Sequence, residues 1–501
     1  MDEKLASRSS RKTSGLRWWS IFFIAIVACV LIVGWAVVSQ GAHQSVIANK
    51  GTNVISSKST TPQDLYVGYK DTVYRLSGQN GAVVWQHALQ QPSKPNRIDG
   101  SSMQVRVMNQ NLIYVMLENT VFVLNGSDGT ELWQYAVRLT PAQLAEPRAY
   151  IMNVVFDQQR VYIDLATGDV LGFDMQTGKQ LWHEVKFPNG ASLSAFDGVL
   201  YAKSANSQGH PVIYAIDGTT GRFLWHFQRE MWGNSSFDPP TVVDGVLYDA
   251  GNPLYALDVH TGKKLWEQRL SDRSSFFNDL HVMNGKLYAN TSAAVATTGI
   301  ATTAKQPPTP PPSFPLYTFD AKTGKSLWQS QPGYQELLMN SDAIVVLSNA
   351  DKNNSKTLQL LDPQRGVVRW QTTLLTPICG ADLLCAPPIV QITDGKLLIL
   401  DGSNQSRTLR EFDLQSGKLL VQHPVSLPLK EGLGESLLSN GRLYVQTGVH
   451  EDGTDNAGSS KSFWNYNLYA IDIANGKTAW QYKIGKLLEY QDPISPLVLA
   501  S

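Results

Sequence analysis

Cysteine is nearly absent from this 501-residue chain, which has three: Cys29, Cys379 and Cys385. Cys379 and Cys385 flank the short loop CGADLLC and have no histidine nearby, so they do not make a zinc site. They form a candidate disulfide in an oxidising compartment, or two free thiols. Charge is also scarce. Charged residues are 17% of the chain, and 42 Lys and Arg balance 42 Asp and Glu. A zero balance supplies no basic field for nucleic acid. The sequence has no Gly-rich phosphate loop, HExxH, GxSxG, EF-hand loop or CxxCH, which removes the commonest phosphate-binding, hydrolytic, calcium and c-type haem signatures. Glycine (39), tyrosine (19) and tryptophan (13) are plentiful, a composition that suits β-structure with many turns.

The N-terminus differs from the rest. Residues 1–17 are basic, and residues 18–38, WWSIFFIAIVACVLIVGWAVV, carry no charge. As a helix this stretch reaches roughly 30 Å, a bilayer core, with indoles near both ends. The basic flank places residues 1–17 in the cytoplasm, 18–38 as a single-pass transmembrane helix, and the bulk of the chain outside the cell membrane. Two alternatives stand beside this anchor: a cleaved signal peptide, and lipidation at Cys29 in the box-like IVAC. Residues 39–61 are small and polar and read as a flexible linker, leaving 62–501 as the folded body.

That body repeats. Aligned on one tryptophan, nine hairpins recur 41 to 62 residues apart; they include VYRLSGQNGAVVW (73–85), IYAIDGTTGRFLW (213–225), LYALDVHTGKKLW (254–266) and LYAIDIANGKTAW (468–480). The tryptophans are Trp85, Trp133, Trp182, Trp225, Trp266, Trp328, Trp370 and Trp480, and in the eighth copy Val421 takes the place. Most hairpins follow another with a tight Asp-Gly or Asn-Gly turn, as in TVVDGVLYDA (241–250) and SLLSNGRLYVQ (436–446). One unit is therefore four antiparallel strands, A to D. A period near 40–50 residues with strands and no helical pattern is the mark of propeller blades.

Within the C–D turn, Asp accepts bonds from the turn backbone, and Gly takes the left-handed position and sets a bulge. The tryptophan is too large to bury in one blade and is expected to dock between blades, its N–H on a neighbouring carbonyl. The first unit, LYVGYKD (65–71), begins at strand B, and DPISPLVLAS (492–501) reads as a lone strand A. A ring closes if the second supplies the strand missing from the first.

The pattern A-x-D-x-x-T-G-K-x-x-W, intact at Ala256–Trp266, resembles the tryptophan-docking repeat of pyrroloquinoline quinone (PQQ)-type β-propellers over about residues 65–485. The resemblance implies an all-β propeller of eight or nine four-stranded blades: the family usually has eight, and nine copies are present here. It also implies two kinds of function. Quinoprotein alcohol and sugar dehydrogenases of the family carry a disulfide between adjacent cysteines, an Asp base and a calcium held by Glu, Asn and Asp. Other members are non-enzymatic scaffolds of outer-membrane protein assembly. Cys379 and Cys385 are not adjacent, so the expectation is a scaffold without catalytic residues, cofactor or metal, with the dehydrogenase as the alternative.

The A–B and C–D turns share one face and are tight nearly everywhere. The D–A and B–C connections share the other and accumulate length, for example in 291–315 and 449–465, so this face is expected to meet an envelope protein or a small ligand. Asp238, Asn278, Glu336 and Glu435 fall near the start of A strands and form a candidate polar ring at the channel mouth. Trp232, Phe276 and Phe277 on the same face are either exposed aromatics for a partner surface or packing residues of the loops.

Overall fold

The computed structural model describes residues 62–90, 103–109, 111–137, 151–187, 190–230, 236, 238–293, 315–331, 334–348, 356–374, 389–403, 406–428, 431–454, 460–488 and 495–500. The chain divides into two units, residues 1–60 and 61–501, and every described strand belongs to the second. The proposed anchor 18–38, Cys29, Trp232, Cys379 and Cys385 lie outside the described residues. Among the described residues no helix is long and apolar enough to cross a membrane.

Nine four-stranded antiparallel sheets follow one another along the chain, which decides between eight blades and nine. Eight are built from consecutive strands. Blade 1 combines Leu65–Tyr69 (B), Thr72–Leu76 (C) and Val83–Ala88 (D) with Val498–Leu499, the last strand of the chain, as its strand A. The closing strand pairs Leu65 with Leu499 and Tyr66 with Val498. Two further main-chain bonds extend the seam: Ala500 N–H donates to Asp64 O, and Ser495 N–H to Gly68 O. The A strands of several successive blades touch (blades 3 and 4, 5 and 6, 7 and 8, 9 and 1), which makes A innermost and D outermost.

Strands B and C are apolar on both faces because each blade is sandwiched between two others. In blade 2, all six residues of Leu112–Leu117 are buried. The core lies in the joints: Tyr201, Ile213 and Ala215 of blade 4 pack on Leu247, Tyr255, Leu257 and Val259 of blade 5. The outer strands alternate instead, as in Phe223–Gln228 of blade 4.

The turns explain the repeat residues. Asp244 and Gly245 both have positive φ, the paired left-handed geometry of a two-residue hairpin. At the C–D turn of blade 5, Asp258 Oδ1 accepts from Thr261 N (2.9 Å) and Thr261 Oγ1 (2.6 Å). These bonds, the side-chain one foremost, hold the Asp258 carboxyl below its ordinary range. Ala256 then pairs with Trp266 but Leu257 with Lys264, so Leu265 is an extra bulged residue that sets the direction of the indole.

One expectation about the long-connection face needs correction. The segment 449–465 is expected as a single excursion, but both of its ends are strand. Strands B and C of blade 9 run on as Arg442–Thr454 and Ser460–Asp472, paired residue for residue to Thr454 and Ser460, and strand D continues to Leu488. The cross-strand pairs there include His450 opposite Trp464 and Glu451 opposite Phe463. On the same face, the B–C connections of blades 1 and 2 are tight turns at Lys70 and Glu118, both with positive φ.

Candidate functional site

The outer ties come first, because they account for most of the residues that stand out in the sequence. Each repeat tryptophan donates its indole N–H to the next blade, to the carbonyl of the residue after that blade's turn Asp or its counterpart. The acceptors run from Trp85 on Gly126 O (3.2 Å), Trp133 on Met175 O (2.9 Å), Trp182 on Gly218 O (2.9 Å) and Trp225 on Val259 O (3.1 Å) to Trp266 on Ala321 O (3.0 Å), Trp328 on Pro363 O (3.3 Å) and Trp370 on Leu414 O (3.0 Å). Trp480 of blade 9 reaches Gly78 O of blade 1 (3.1 Å) and closes the ring. The indole lies on the turn glycine of the receiving blade. A Cβ on Gly262, whose φ is +67°, would meet Trp225 at 2.5 Å, so both the backbone and the close approach require glycine there.

A second residue shares this task and was not singled out from the sequence. Strand B of six blades carries a tyrosine that stacks obliquely on its own blade's tryptophan: Tyr66, Tyr162, Tyr201, Tyr248, Tyr288 and Tyr444, with ring centroids 5.7 to 6.1 Å apart. In four of them the hydroxyl donates to the same carbonyl as the indole: Gly126 O, Ala321 O, Pro363 O and Gly78 O. Burial raises these phenols above their ordinary range, to about 12 for Tyr248, Tyr288 and Tyr444. The signal was available as the Leu-Tyr pair after the A–B turn, in VLY (199–201), VLY (246–248), KLY (286–288) and RLY (442–444).

The joint between blades 8 and 9 is built differently. Val421 replaces the indole. The turn glycine of blade 9, Gly476, faces His423 Cβ and Pro424 O, at 2.6 and 2.8 Å from where a Cβ would stand. Main chain fills the place of the ring. The tie moves inward to Glu431, whose carboxylate accepts from Thr447 Oγ1, Asn467 Nδ2 (3.2 Å) and Tyr469 OH (3.3 Å), and whose carbonyl accepts from Arg407.

Two of the candidate ring residues reach neighbouring blades. Asp238 Oδ2 accepts the N–H of Asp279 (2.8 Å), beside Asn278 at a bulge in strand A of blade 6, Ser275–Met283. Asn278 pairs with Asn290, and its side-chain oxygen is buried without a bond. Glu336 lies in strand A of blade 7, Tyr334–Met339, opposite Val346 at a similar bulge. Glu435 Oε2 accepts the N–H of Leu497 (3.0 Å), next to the closing strand. Burial raises the Glu435 carboxyl, and the Leu497 bond partly lowers it again. Two of the four, Asp238 and Glu435, thus bond main chain of the following blade. Phe277 is 1% exposed and packs edge-on against Tyr317 and Phe319, so of its two readings packing holds and exposure does not.

An ionic tie that the sequence did not suggest joins blades 4 and 5. Asp249, 0% exposed, meets Lys203 Nζ at 2.8 Å and an Arg229 NH nitrogen at 2.9 Å; both cations also donate to Ala250 O. Burial pushes the Lys203 ammonium down to about 8, and Asp249 opposes that shift.

Beyond the end of strand A in blade 9, strands B, C and D form a three-stranded ladder. It carries Trp464 against His450 (centroids 5.4 Å) and Tyr466 (6.2 Å), and Lys486 over the Phe463 ring (4.2 Å). Tyr69 of blade 1 braces it by donating to Lys486 O (2.9 Å).

Among the described residues no three His, Cys, Asp or Glu side chains are grouped so as to hold a metal ion.

A closed ring of PQQ-like repeats, tied blade to blade by indoles, defines the class: a nine-bladed β-propeller. The family described as outer membrane protein assembly factor BamB matches residues 35–199 and 209–482, and the chain belongs to it. The chain is 22% identical to the outer membrane protein assembly factor BamB of Yersinia pestis, over 55% of this chain and 61% of that protein. It is 23% identical to the polyvinylalcohol dehydrogenase of a Sphingopyxis strain, over 54% of this chain and 50% of that protein. The chain thus spans about half to three fifths of the length of these curated relatives. A crystal structure of BamB from Moraxella catarrhalis aligns with 72% of this chain and 95% of its own at 16% identity and a TM-score of 0.42.

Proposed function

We propose that this protein is a membrane-anchored, extracytoplasmic scaffold that binds a protein partner of the cell envelope. The observation that carries the reading is the blade 9 ladder. Its B and C strands have thirteen residues each, against nine at most in the described strands of the other blades, and it rises on the long-connection face. A rigid, aromatic-bearing projection on one blade suits recognition of a partner. The repeat residues, by contrast, are engaged in joining blades. Family membership supports the same direction, since the Yersinia relative is named for assembly of outer-membrane proteins. Residues 18–38 would hold the body at the membrane and 39–61 would lift it clear.

A photo-crosslinking residue at Glu451, on the ladder, is expected to capture one envelope protein in intact cells, while the same residue at Lys263, on the tight-turn face, captures none. Equal capture at both positions, or none, would sink the ladder as the binding face. The second reading is a quinone-dependent dehydrogenase, favoured by the polyvinylalcohol dehydrogenase relative. Incubating the purified chain with PQQ and calcium and following dye reduction with alcohols and sugars tests it. Turnover would overturn the scaffold.

A further inference from the structure

Among the described residues, one buried carboxyl group has no part in any tie. Asp164 lies in strand B of blade 3, Arg160–Leu165, and is 1% exposed. Its Oδ1 is buried with no hydrogen-bond partner. Alternation along the strand decides where it points. Ile163 and Leu165 pack with blade 2, while Tyr162, on the same side as Asp164, packs with Leu193, Leu200, Ala202 and Ile216 of blade 4. The carboxyl therefore enters the joint between blades 3 and 4, among apolar groups.

Several charged groups near this joint are committed elsewhere. In blade 3, Lys186 meets Asp169 (3.2 Å), and Asp157 bonds Tyr162 OH (3.0 Å) and Arg160 (3.5 Å) at the opposite end of the strand. In blade 4, strand A (Ala191–Phe196) has no charged residue, and Lys203 turns to Asp249. The strand neighbours of Asp164 are Asn153 and Val170, both uncharged. Burial alone pushes the Asp164 carboxyl up to about 7, with no cation lowering it.

We infer that the joint between blades 3 and 4 is a proton-sensitive seam, closed while Asp164 is a neutral acid and loosened when it ionises. An ionised carboxylate without a donor recruits water, and the nearest route is separation of the two sheets. The direction follows from linkage. The folded chain holds this proton to a higher pH than the unfolded chain, so the stability present at acidic pH is lost as pH rises through about 7. An extracytoplasmic body would then have one seam that reads the pH outside the membrane.

The test is hydrogen exchange on the full-length protein at pH 5.5 and 8.5, corrected for intrinsic rates. Peptides covering 151–165 and 191–202 are expected to open about tenfold or more at the higher pH, the scale of one pKa unit. Peptides from the joint of blades 6 and 7, 286–293 and 344–348, should not change. Asp164→Asn should remove the pH response, and Asp164→Leu, which suits an apolar joint, should do the same if the amide variant folds poorly. An unchanged response in either variant, or equal opening at both joints, overturns the inference.

Discussion

Eight joints of the ring carry an indole and one does not, and the difference separates what the repeat needs from what it tolerates. At a joint such as blades 4 and 5, Trp225 covers Gly262 and bonds Val259 O, so one side chain supplies both apolar burial and an acceptor's partner. At blades 8 and 9, His423 and Pro424 close on Gly476 directly, and polarity is gathered around Glu431. The ring therefore does not require tryptophan as such. It requires that the space over each turn glycine be filled and each exposed carbonyl be bonded, because a void or an unmet polar group costs free energy in the joint.

The largest effect is expected from Trp480→Ala set beside Val421→Ala. The first removes a buried indole and its bond across the closure of the ring and should cost about 3–5 kcal/mol, as for large aromatic truncations. The second removes two methyl groups from a half-buried site and should cost roughly 1 kcal/mol. Matched thermal and denaturant unfolding of the two variants checks this, and equal losses would break the comparison. Val421→Trp is next. Restoring the consensus residue should destabilise by about 1–3 kcal/mol, because the room for the ring is already taken by main chain. A rise in melting temperature would mean that the joint is merely a degenerate copy of the others. Glu435→Gln should be the mildest, at about 1 kcal/mol or less, since the amide oxygen can still accept from Leu497. Its local sign should be faster exchange at the amide of Leu497 with the Trp480 closure intact.

Much of this arrangement was legible in the residues. Asp258, Thr261, Gly262 and Trp266 announce a turn, a bulge and a docking ring because each has a local conformational duty that its chemistry states. The start at Leu65 on a B strand and the spare strand near Val498 pointed to closure for the same reason, since edges must be paired. The tyrosines were overlooked because Leu-Tyr also reads as ordinary strand alternation; only the shared carbonyl at Gly126, Ala321, Pro363 or Gly78 reveals their second partner. Asp238 and Glu435 were read as lining a channel mouth, and their backbone partners, Asp279 and Leu497, lie 41 and 62 residues away in sequence. Residues 449–465 were read as an excursion because Gly and Asp are frequent there, whereas cross-strand pairing with 460–472 overrode that local preference.

By itself, then, the sequence determined the class of fold, the unit and the docking ring, because these rest on short-range geometry repeated nine times. Only the tertiary structure decided that all nine units enter one ring. It also decided which carboxylates are spent on neighbouring blades, and that Lys203 and Arg229 find Asp249 while Asp164 finds no partner. Such pairings depend on which faces of distant strands are brought together. No local pattern encodes that, because a buried charge and an exposed one look alike in a strand until the adjoining sheet is in place.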